Sequence, residues 1–262
     1  ISRVAGLSRR NARAKHRRFL VEGPQGVREA VRHVPGRVLD VYLTEAALER
    51  HSEIWDEVVA AGLYVHVTTQ QVMDAMSPDA QGLLAVVATE EATGSEALTT
   101  ALEGARLVAV LTQAQDPGNA GTIIRAADAA GADAVVLVRG SVDPTAPKVV
   151  RSTAGSLFHL PVVTGVALDD AVTALHNAGL TVLAADGRGD FDLFEAESLL
   201  EAPSAWLLGN EAHGLPSEAL SRADAVVSIP IYGKAESLNV AAAAAVCLYA
   251  SARAQAQNSG RS

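Results

Sequence analysis

The strongest constraint on the fold lies in a series of short apolar segments in the second half of the chain. Each is largely apolar, lacks the polar alternation of a strand with one face in water, and is followed by a loop or helix. They are residues 107–111, 134–138, 181–184, 206–208 and 226–229. Strands that are apolar throughout are typical of parallel sheets buried on both faces, and alternation with helices indicates an α/β architecture. We therefore predict an α/β domain with a parallel sheet over residues 104–262.

The first 88 residues predict a second, smaller α/β domain. Strands are predicted at residues 38–43, 63–67 and 83–87, and helices at 26–34, 44–61 and 69–76. Thr44 and either Thr68 or Thr69 are suited to cap the second and third of these helices. Residues 89–103 are rich in small and polar side chains, so we predict a linker there, with helical character in residues 96–102.

Composition excludes several classes of protein. Hydrophobic residues make up 49% of the chain, enough for a sizeable core. No apolar run approaches the roughly 20 residues of a membrane-spanning helix, and the arginine-rich N-terminus does not resemble a secretory signal. The single cysteine, Cys247, excludes an internal disulfide and fits a reducing compartment. We expect a cytoplasmic protein.

Charge is distributed unevenly along the chain. The net charge is −9, yet residues 1–37 hold ten Lys or Arg and only two Glu, whereas the other residues hold eleven Lys or Arg and 28 acids. Such asymmetry suggests that a basic arm meets a polyanion such as RNA. The residues predicted to do so are Arg9, Arg10, Arg13, Lys15, Arg17 and Arg18. Charge alone does not distinguish an RNA-binding arm from a solvated tail.

Three segments carry Gly, Asn or acidic residues at the point where a predicted buried strand ends. The first contains Asn119, a candidate helix cap, and Arg125; the second is Gly209-Asn210-Glu211; the third runs from Ile229 to Asn239. In open α/β sheets, ligands bind at this edge. Taken singly, each segment also fits an ordinary loop with capping residues.

Two other kinds of site receive little support from these segments. The glycines do not form the G-x-G-x-x-G pattern, which weakens a nucleotide-dependent oxidoreductase as an alternative. His213 lies near Glu211, but the chain has one cysteine and no second histidine nearby in sequence. We therefore predict no metal ion at this segment.

Taken together, the three segments resemble the signature motifs of the SpoU family of RNA 2′-O-ribose methyltransferases. The matching residues are Asn119, Gly121 and Arg125 in the first motif, Gly209, Asn210, Glu211 and Gly214 in the second, and Ile229, Pro230, Ser237, Leu238, Asn239 and Val240 in the third. Residues 148–155 are also similar to the family. The resemblance covers about residues 104–254, and the first 88 residues are similar to the RNA-binding domain that many members carry.

The resemblance implies a fold, a cofactor and an assembly. SpoU enzymes have a parallel sheet whose C-terminal part forms a deep trefoil knot, a rare feature in proteins. The second and third motifs are expected to bind S-adenosylmethionine through Leu208, Gly209, Asn210, Gly214, Ile229, Pro230 and Leu238. Members are homodimers in which the first motif of one subunit usually meets the cofactor site of the other.

The resemblance also implies the catalytic residues, which are Arg125, Asn119, Glu211, Ser237 and Asn239. Because arginine stays protonated in proteins, we expect Arg125 to bind the phosphate next to the reacting ribose and to stabilise the developing alkoxide, rather than to accept a proton. Glu211 would orient Arg125. Ribosomal RNA is favoured as substrate over transfer RNA because the first domain is similar to those of ribosomal-RNA-modifying relatives. A transfer-RNA methyltransferase and a knotted RNA-binding protein without activity remain alternatives.

Overall fold

The structure, a computed structural model, describes residues 1–90, 92–210 and 214–259. Its strands are β1 (Arg18–Glu22), β2 (Val38–Thr44), β3 (Val65–Thr68), β4 (Leu83–Ala88), β5 (Leu107–Leu111), β6 (Ala134–Leu137), β7 (Val162–Val163), β8 (Thr181–Ala185), β9 (Phe191–Asp192), β10 (Ser204–Leu208) and β11 (Ala225–Ser228). Its α-helices are α1 (Ser2–Gly6), α2 (Arg10–His16), α3 (Pro24–His33), α4 (Glu45–Arg50), α5 (Ser52–Ala60), α6 (Gln70–Met76), α7 (Gly94–Ala101), α8 (Pro117–Ala129), α9 (Pro147–Thr153), α10 (Leu168–Asn177), α11 (Glu197–Leu200), α12 (Ser217–Arg222) and α13 (Val240–Ser259).

The chain forms two compact units. The first contains residues 1–90 and 143–159, and the second contains residues 91–142 and 160–262. This division differs from the predicted domain limits because residues 143–159, which follow β6 in the sequence, pack with the N-terminal residues. We call residues 143–159 the returning segment.

The first unit is built on a four-stranded sheet in the order β1-β4-β2-β3. Strand β4 is antiparallel to β1 and β2, whereas β2 and β3 are parallel. Strand β1 was not predicted, although four of its five residues are buried. The predicted helix over residues 44–61 is two helices, because His51 leaves the helical conformation with φ −130° and ψ 46°. Thr44 and Thr69 cap their helices as predicted.

Ion pairs attach the returning segment to the rest of the first unit. Arg151 donates a hydrogen bond to the buried carboxylate of Glu22 and lies 3.0 Å from Asp79. Phe158 packs into the same core as Phe19, with the two rings stacked at 6.4 Å. Buried charges are stable only when paired in this way, so the segment is an integral part of this unit.

The second unit contains a seven-stranded sheet in the order β7-β6-β5-β10-β8-β11-β9. All pairings between its neighbouring strands are parallel. Every residue of β5 and β10 is buried, as expected for strands covered on both faces. The predicted α/β fold with a parallel sheet is confirmed. The trefoil knot stays a prediction, because strand order does not describe the path of the loops.

Helices cover the sheet of the second unit on its two faces. Helix α7, which lies within the predicted linker, buries Leu98 in the same core as β5, β6 and β8. Helix α13 packs against α8 and β10, where Trp206 Nε1 donates to Ser251 Oγ at 2.9 Å. Among the residues that the structure describes, no helix combines the length and the apolar content that crossing a lipid bilayer requires.

Candidate active site

The sheet order of the second unit places β8 between β10 and β11, so the carboxyl ends of these three strands lie side by side. A cavity of about 350 Å³ opens at this edge. Its described wall consists of Ala185, Asp186, Gly187, Gly209, Asn210, Gly214, Val227, Ile229, Ile231, Glu236, Ser237, Leu238, Val240 and Ala243. The second and third motifs therefore meet in one cavity. Leu208 and Pro230 lie directly beside wall residues in the chain but are not part of the wall.

Gly209 allows two stretches of backbone to approach each other closely at the cavity. Asn210 and Gly214 exchange backbone hydrogen bonds of 2.9 Å in both directions. A Cβ atom added at Gly209 would lie 2.6 Å from Leu215 N and 2.7 Å from Gly214 O, distances that real Cβ atoms do not reach. Glycine is required here because of this contact, and not because of a positive φ. Glu211 lies outside the described residues, so its pairing with Arg125 stays a prediction.

Asn119 and Asn239 connect the first motif with the third. Asn239 Nδ2 donates to Asn119 Oδ1 at 3.1 Å, while Asn239 Oδ1 accepts from Ala241 N at 2.9 Å and so caps α13. The prediction that Asn119 caps α8 is wrong. The cap is Asp116, whose carboxylate accepts from Asn119 N at 2.7 Å, because the helix begins at Pro117, a residue suited to the first helical position.

Asp186, at the carboxyl end of β8, is a wall residue that the motifs do not include. Its side chain is 10% exposed, and Arg188 donates to both of its oxygens, at 2.9 and 3.1 Å. These hydrogen bonds hold the pKa of Asp186 below its usual value, so the carboxylate is charged at neutral pH. The rule that selected the other loops, a buried strand followed by Gly and acidic residues, also selects residues 186–190.

The described cavity wall carries negative charge. Asp186 and Glu236 are acidic, and the described wall includes no lysine or arginine. Because Arg188 pairs with Asp186, the net negative charge of the wall rests mainly on Glu236.

Comparison with known proteins identifies the family. A model of the SpoU rRNA Methylase family matches residues 106–249. A 23S rRNA (guanosine(2553)-2′-O)-methyltransferase of Bacillus subtilis, RlmP, is 35% identical over 248 residues, which cover 93% of this chain and 92% of that protein. The chain belongs to the SpoU family.

A sequence and a crystal structure from Streptomyces viridochromogenes also match nearly the whole chain. A 23S rRNA (uridine(2479)-2′-O)-methyltransferase of Streptomyces viridochromogenes is 34% identical over 261 residues, covering 94% of this chain and 86% of that protein. The crystal structure of the SpoU methyltransferase AviRb from the same organism, in complex with the cofactor AdoMet, superposes with a TM-score of 0.82, at 31% identity and 98% coverage of both chains. The family and the fold class expected from the motifs are confirmed.

In this SpoU chain, Arg125 lies on the exposed side of α8 and is not part of the described cavity wall. Ser237, by contrast, is a wall residue. Among the described residues, none forms an ion pair with the Arg125 guanidinium. The structure thus brings together Asn119, Ser237 and Asn239 near one cavity, while Arg125 faces solvent within its own chain.

The basic arm of this SpoU chain is helical. Arg9, Arg10 and Lys15, on and just before α2, line a surface depression together with Asn11 and His16. Arg17 and Arg18 follow and are exposed. These five cations are placed where a polyanion can reach them.

Arg13 is the exception in the arm, and its prediction as an RNA contact is corrected. It is 5% exposed and donates to Asp143 at 2.7 Å and to Thr145 Oγ1 at 3.2 Å, as well as to two backbone carbonyls of the arm. Burial raises the pKa of Asp143, but hydrogen bonds from Thr145 and Arg13 outweigh it and keep the pKa below its usual value. Arg13 therefore anchors the arm to the returning segment.

Proposed function

We propose that this chain transfers a methyl group from S-adenosylmethionine to a ribose 2′-hydroxyl of ribosomal RNA, with 23S rRNA as the substrate. The observation that carries the proposal is the cavity in which the second and third motifs meet at the edge of the parallel sheet. Relatives that match nearly the whole chain are named as 23S rRNA 2′-O-methyltransferases, which supports ribosomal over transfer RNA. We expect the protein to act in the cytoplasm, since its single cysteine fits a reducing compartment.

The cavity suits S-adenosylmethionine in size and charge. A volume of about 350 Å³ is within the range of small-molecule sites. The close backbone contact at Gly209 means that backbone groups, rather than side chains, hold the adenosine. Leu208, Ile229 and Leu238 lie beside the adenosine. Asp186 and Glu236 supply negative charge for a ligand whose sulfonium and amino groups are cationic. The cofactor supplies a methyl group that is already activated by the sulfonium charge.

The other requirement of the reaction is that the protein positions the ribose. The 2′-oxygen attacks the methyl carbon in line, so the protein must orient the hydroxyl and stabilise the charge that develops on it. Asn119 and Asn239, joined by their hydrogen bond, and Ser237 are placed to orient the ribose or its phosphate. Arg125 remains protonated and binds the adjacent phosphate through its paired N–H groups. A phosphate oxygen or water accepts the proton.

A homodimer would complete this site. Arg125 is exposed and outside the described wall of its own cavity, so we propose that a second copy of the chain brings its Arg125 to this cavity. A twofold dimer places the same two surfaces in contact twice, so that each Arg125 can serve the cavity of the partner. The exposed position of Arg125 supports this arrangement.

Assays on different RNA classes test the proposal. Transfer of a labelled methyl group is measured with purified 23S rRNA, 16S rRNA and transfer RNA. We expect incorporation into 23S rRNA alone, since it is the substrate of the matching relatives. Incorporation into transfer RNA would favour the alternative substrate, and cofactor binding without transfer to any RNA would indicate a silent RNA-binding protein.

Replacing Asp186 with asparagine should weaken S-adenosylmethionine binding by about tenfold, because a carboxylate charge is lost from the cavity wall. Calorimetry with S-adenosylmethionine and with S-adenosylhomocysteine measures the effect, and a larger loss for the former assigns Asp186 to the sulfonium. Asp190→Asn is the matched control, since Asp190 is exposed and outside the wall. Equal behaviour of the two variants would remove Asp186 from the site.

Neutralising the exposed cations of the arm should weaken RNA binding and reduce its salt dependence. In the variant Arg9→Gln/Arg10→Gln/Lys15→Gln/Arg17→Gln, up to about four counterions fewer are released, which lowers the slope of log K against log salt by roughly 3. Arg50→Gln, in the same unit and also exposed, is the single-charge control. If the quadruple variant keeps the slope of the unmodified protein, the arm does not contact phosphate.

A further inference from the structure

Three side chains that commonly bind metal ions meet within the first unit, outside the proposed methyltransferase site. Glu29 and His33 lie on α3, and His159 follows the short 3-10 turn Ser156–Phe158. Glu29 Oε2 is 3.0 Å from His159 Nε2 and 3.3 Å from His33 Nε2. One candidate ligand atom from each of the three residues lies within 4.8 Å of the other two.

The local structure explains why these side chains converge. Residues four apart in a helix lie on the same face, so Glu29 and His33 are adjacent. The returning segment brings His159 onto that face. Gly155, with φ +98°, makes room for Glu29, since a Cβ atom there would lie 2.7 Å from Glu29 Cβ. Sequence spacing does not reveal the cluster because Glu29 and His159 are 130 residues apart.

The spacing of the ligand atoms fits a four-coordinate metal ion. Zinc binds imidazole nitrogen and carboxylate oxygen at about 2.0–2.2 Å in a tetrahedron, which separates neighbouring ligand atoms by about 3.3 Å. The two measured separations from Glu29 Oε2 are close to this value. We propose that Glu29, His33 and His159 bind a first-row divalent transition-metal ion of the zinc type. Because both histidines are exposed, water can supply the fourth ligand.

The two carboxylate oxygens of Glu29 have different partners. Arg28 Nε donates to Oε1 at 3.0 Å, which leaves Oε2 directed at the two histidines. Arg32 lies 3.9 Å from Oε1, but its charge is balanced by Glu57, to which it donates at 2.6 and 2.8 Å. The arginine next to Glu29 opposes a cation, so we expect weaker zinc binding than at a site without this charge.

Two other histidines each form an ordinary hydrogen bond with a single carboxylate and serve as a comparison for the cluster. His66 bonds to Asp40 at 2.9 Å and His176 to Asp224 at 3.0 Å. Neither pair belongs to a group of three or more candidate metal ligands among the described residues. His66, which lies in the first unit, therefore offers a matched control for the cluster.

Zinc and cobalt titrations of the whole, untagged protein test the site. After treatment with a chelator, calorimetry with Zn²⁺ alone should show one equivalent bound at the cluster. His33→Gln and His159→Gln should each weaken this binding by at least about tenfold, whereas His66→Gln should leave it unchanged. Co²⁺ should give the visible absorption bands of four-coordinate cobalt, and these bands should disappear in both cluster variants.

Two results would overturn the proposal. One is zinc binding of equal stoichiometry and affinity in the folded double variant His33→Gln/His159→Gln, with folding checked by circular dichroism. The other is the absence of both zinc binding and cobalt bands in the unmodified protein at about 100 µM metal, a concentration that at least half fills any site with a dissociation constant at or below it. In that case Glu29 is only a hydrogen-bond acceptor for the two histidines.

Discussion

Replacing Arg125 with alanine is expected to lower kcat for methyl transfer by about 10²–10³-fold, the usual cost of losing a group that stabilises a developing oxyanion. The dissociation constant of S-adenosylmethionine should change by less than about twofold, because a contact made only in the transition state does not affect ground-state binding. Single-turnover transfer and calorimetry measure the two quantities separately. Arg125→Lys should recover little activity, since lysine lacks the paired donors of the guanidinium.

A matched control separates this effect from a general loss of surface charge. Arg222, on α12, is also partly exposed and pairs with Asp169, so Arg222→Ala should leave kcat unchanged. Loss of cofactor binding in the folded Arg125→Ala variant would place Arg125 in the cofactor pocket and contradict its assignment to the RNA phosphate.

Replacing Gly209 with alanine is the second change with a large expected effect, and it should act on the cofactor. The added Cβ would lie 2.6 Å from Leu215 N, so the backbone on one side of the cavity must move. We expect S-adenosylmethionine binding to weaken by more than about 100-fold, since small displacements in a binding site are costly. Calorimetry measures the affinity, and circular dichroism checks that the protein remains folded.

Gly36→Ala is the control for this variant. Gly36 has no positive φ, and a Cβ there meets nothing within 4 Å. Its substitution should leave cofactor affinity unchanged. If Gly209→Ala binds the cofactor as tightly as Gly36→Ala does, the cavity is not the cofactor site.

The variants Arg125→Ala and Gly209→Ala together test whether the site is shared between subunits. In a heterodimer of Arg125→Ala and Gly209→Ala chains, one cavity is intact and faces an intact Arg125 of the other chain. Random mixing should therefore restore about a quarter of the unmodified activity from two inactive proteins, as twofold symmetry requires. No recovery, with exchange of subunits demonstrated, would mean that Arg125 acts on the cavity of its own chain.

The parts of the fold that the sequence predicts are those with a strong local pattern. Strand β5 is apolar throughout and matches its predicted bounds, because burial on both faces leaves no polar position. Strand β1 is not predicted because its apolar residues are bounded by the charged Arg18 and Glu22 and follow directly on the polar arm. Strands β7 and β9, of two residues each, are too short to produce any periodicity.

Long-range contacts account for the remaining differences. Arg13 has the same local sequence character as Arg10 or Arg17, but it bonds to Asp143 and Thr145, which are 130 and 132 residues away in the chain. The returning segment joins the first unit for the same reason. Within the site, the motifs identified Gly209, Ser237 and Asn239, whereas Asp186 was missed although the strand-end rule applied to it equally.

Nucleoside analysis of methylated RNA tests the central claim most directly. 23S rRNA that lacks the modification is incubated with the protein and S-adenosylmethionine, digested to nucleosides and analysed by mass spectrometry. We expect one new nucleoside whose added methyl group is on the ribose and which forms about 10²–10³-fold more slowly when Arg125→Ala is used. A methyl group on the base, or no methylated product from a protein that binds both the cofactor and the RNA, would contradict it.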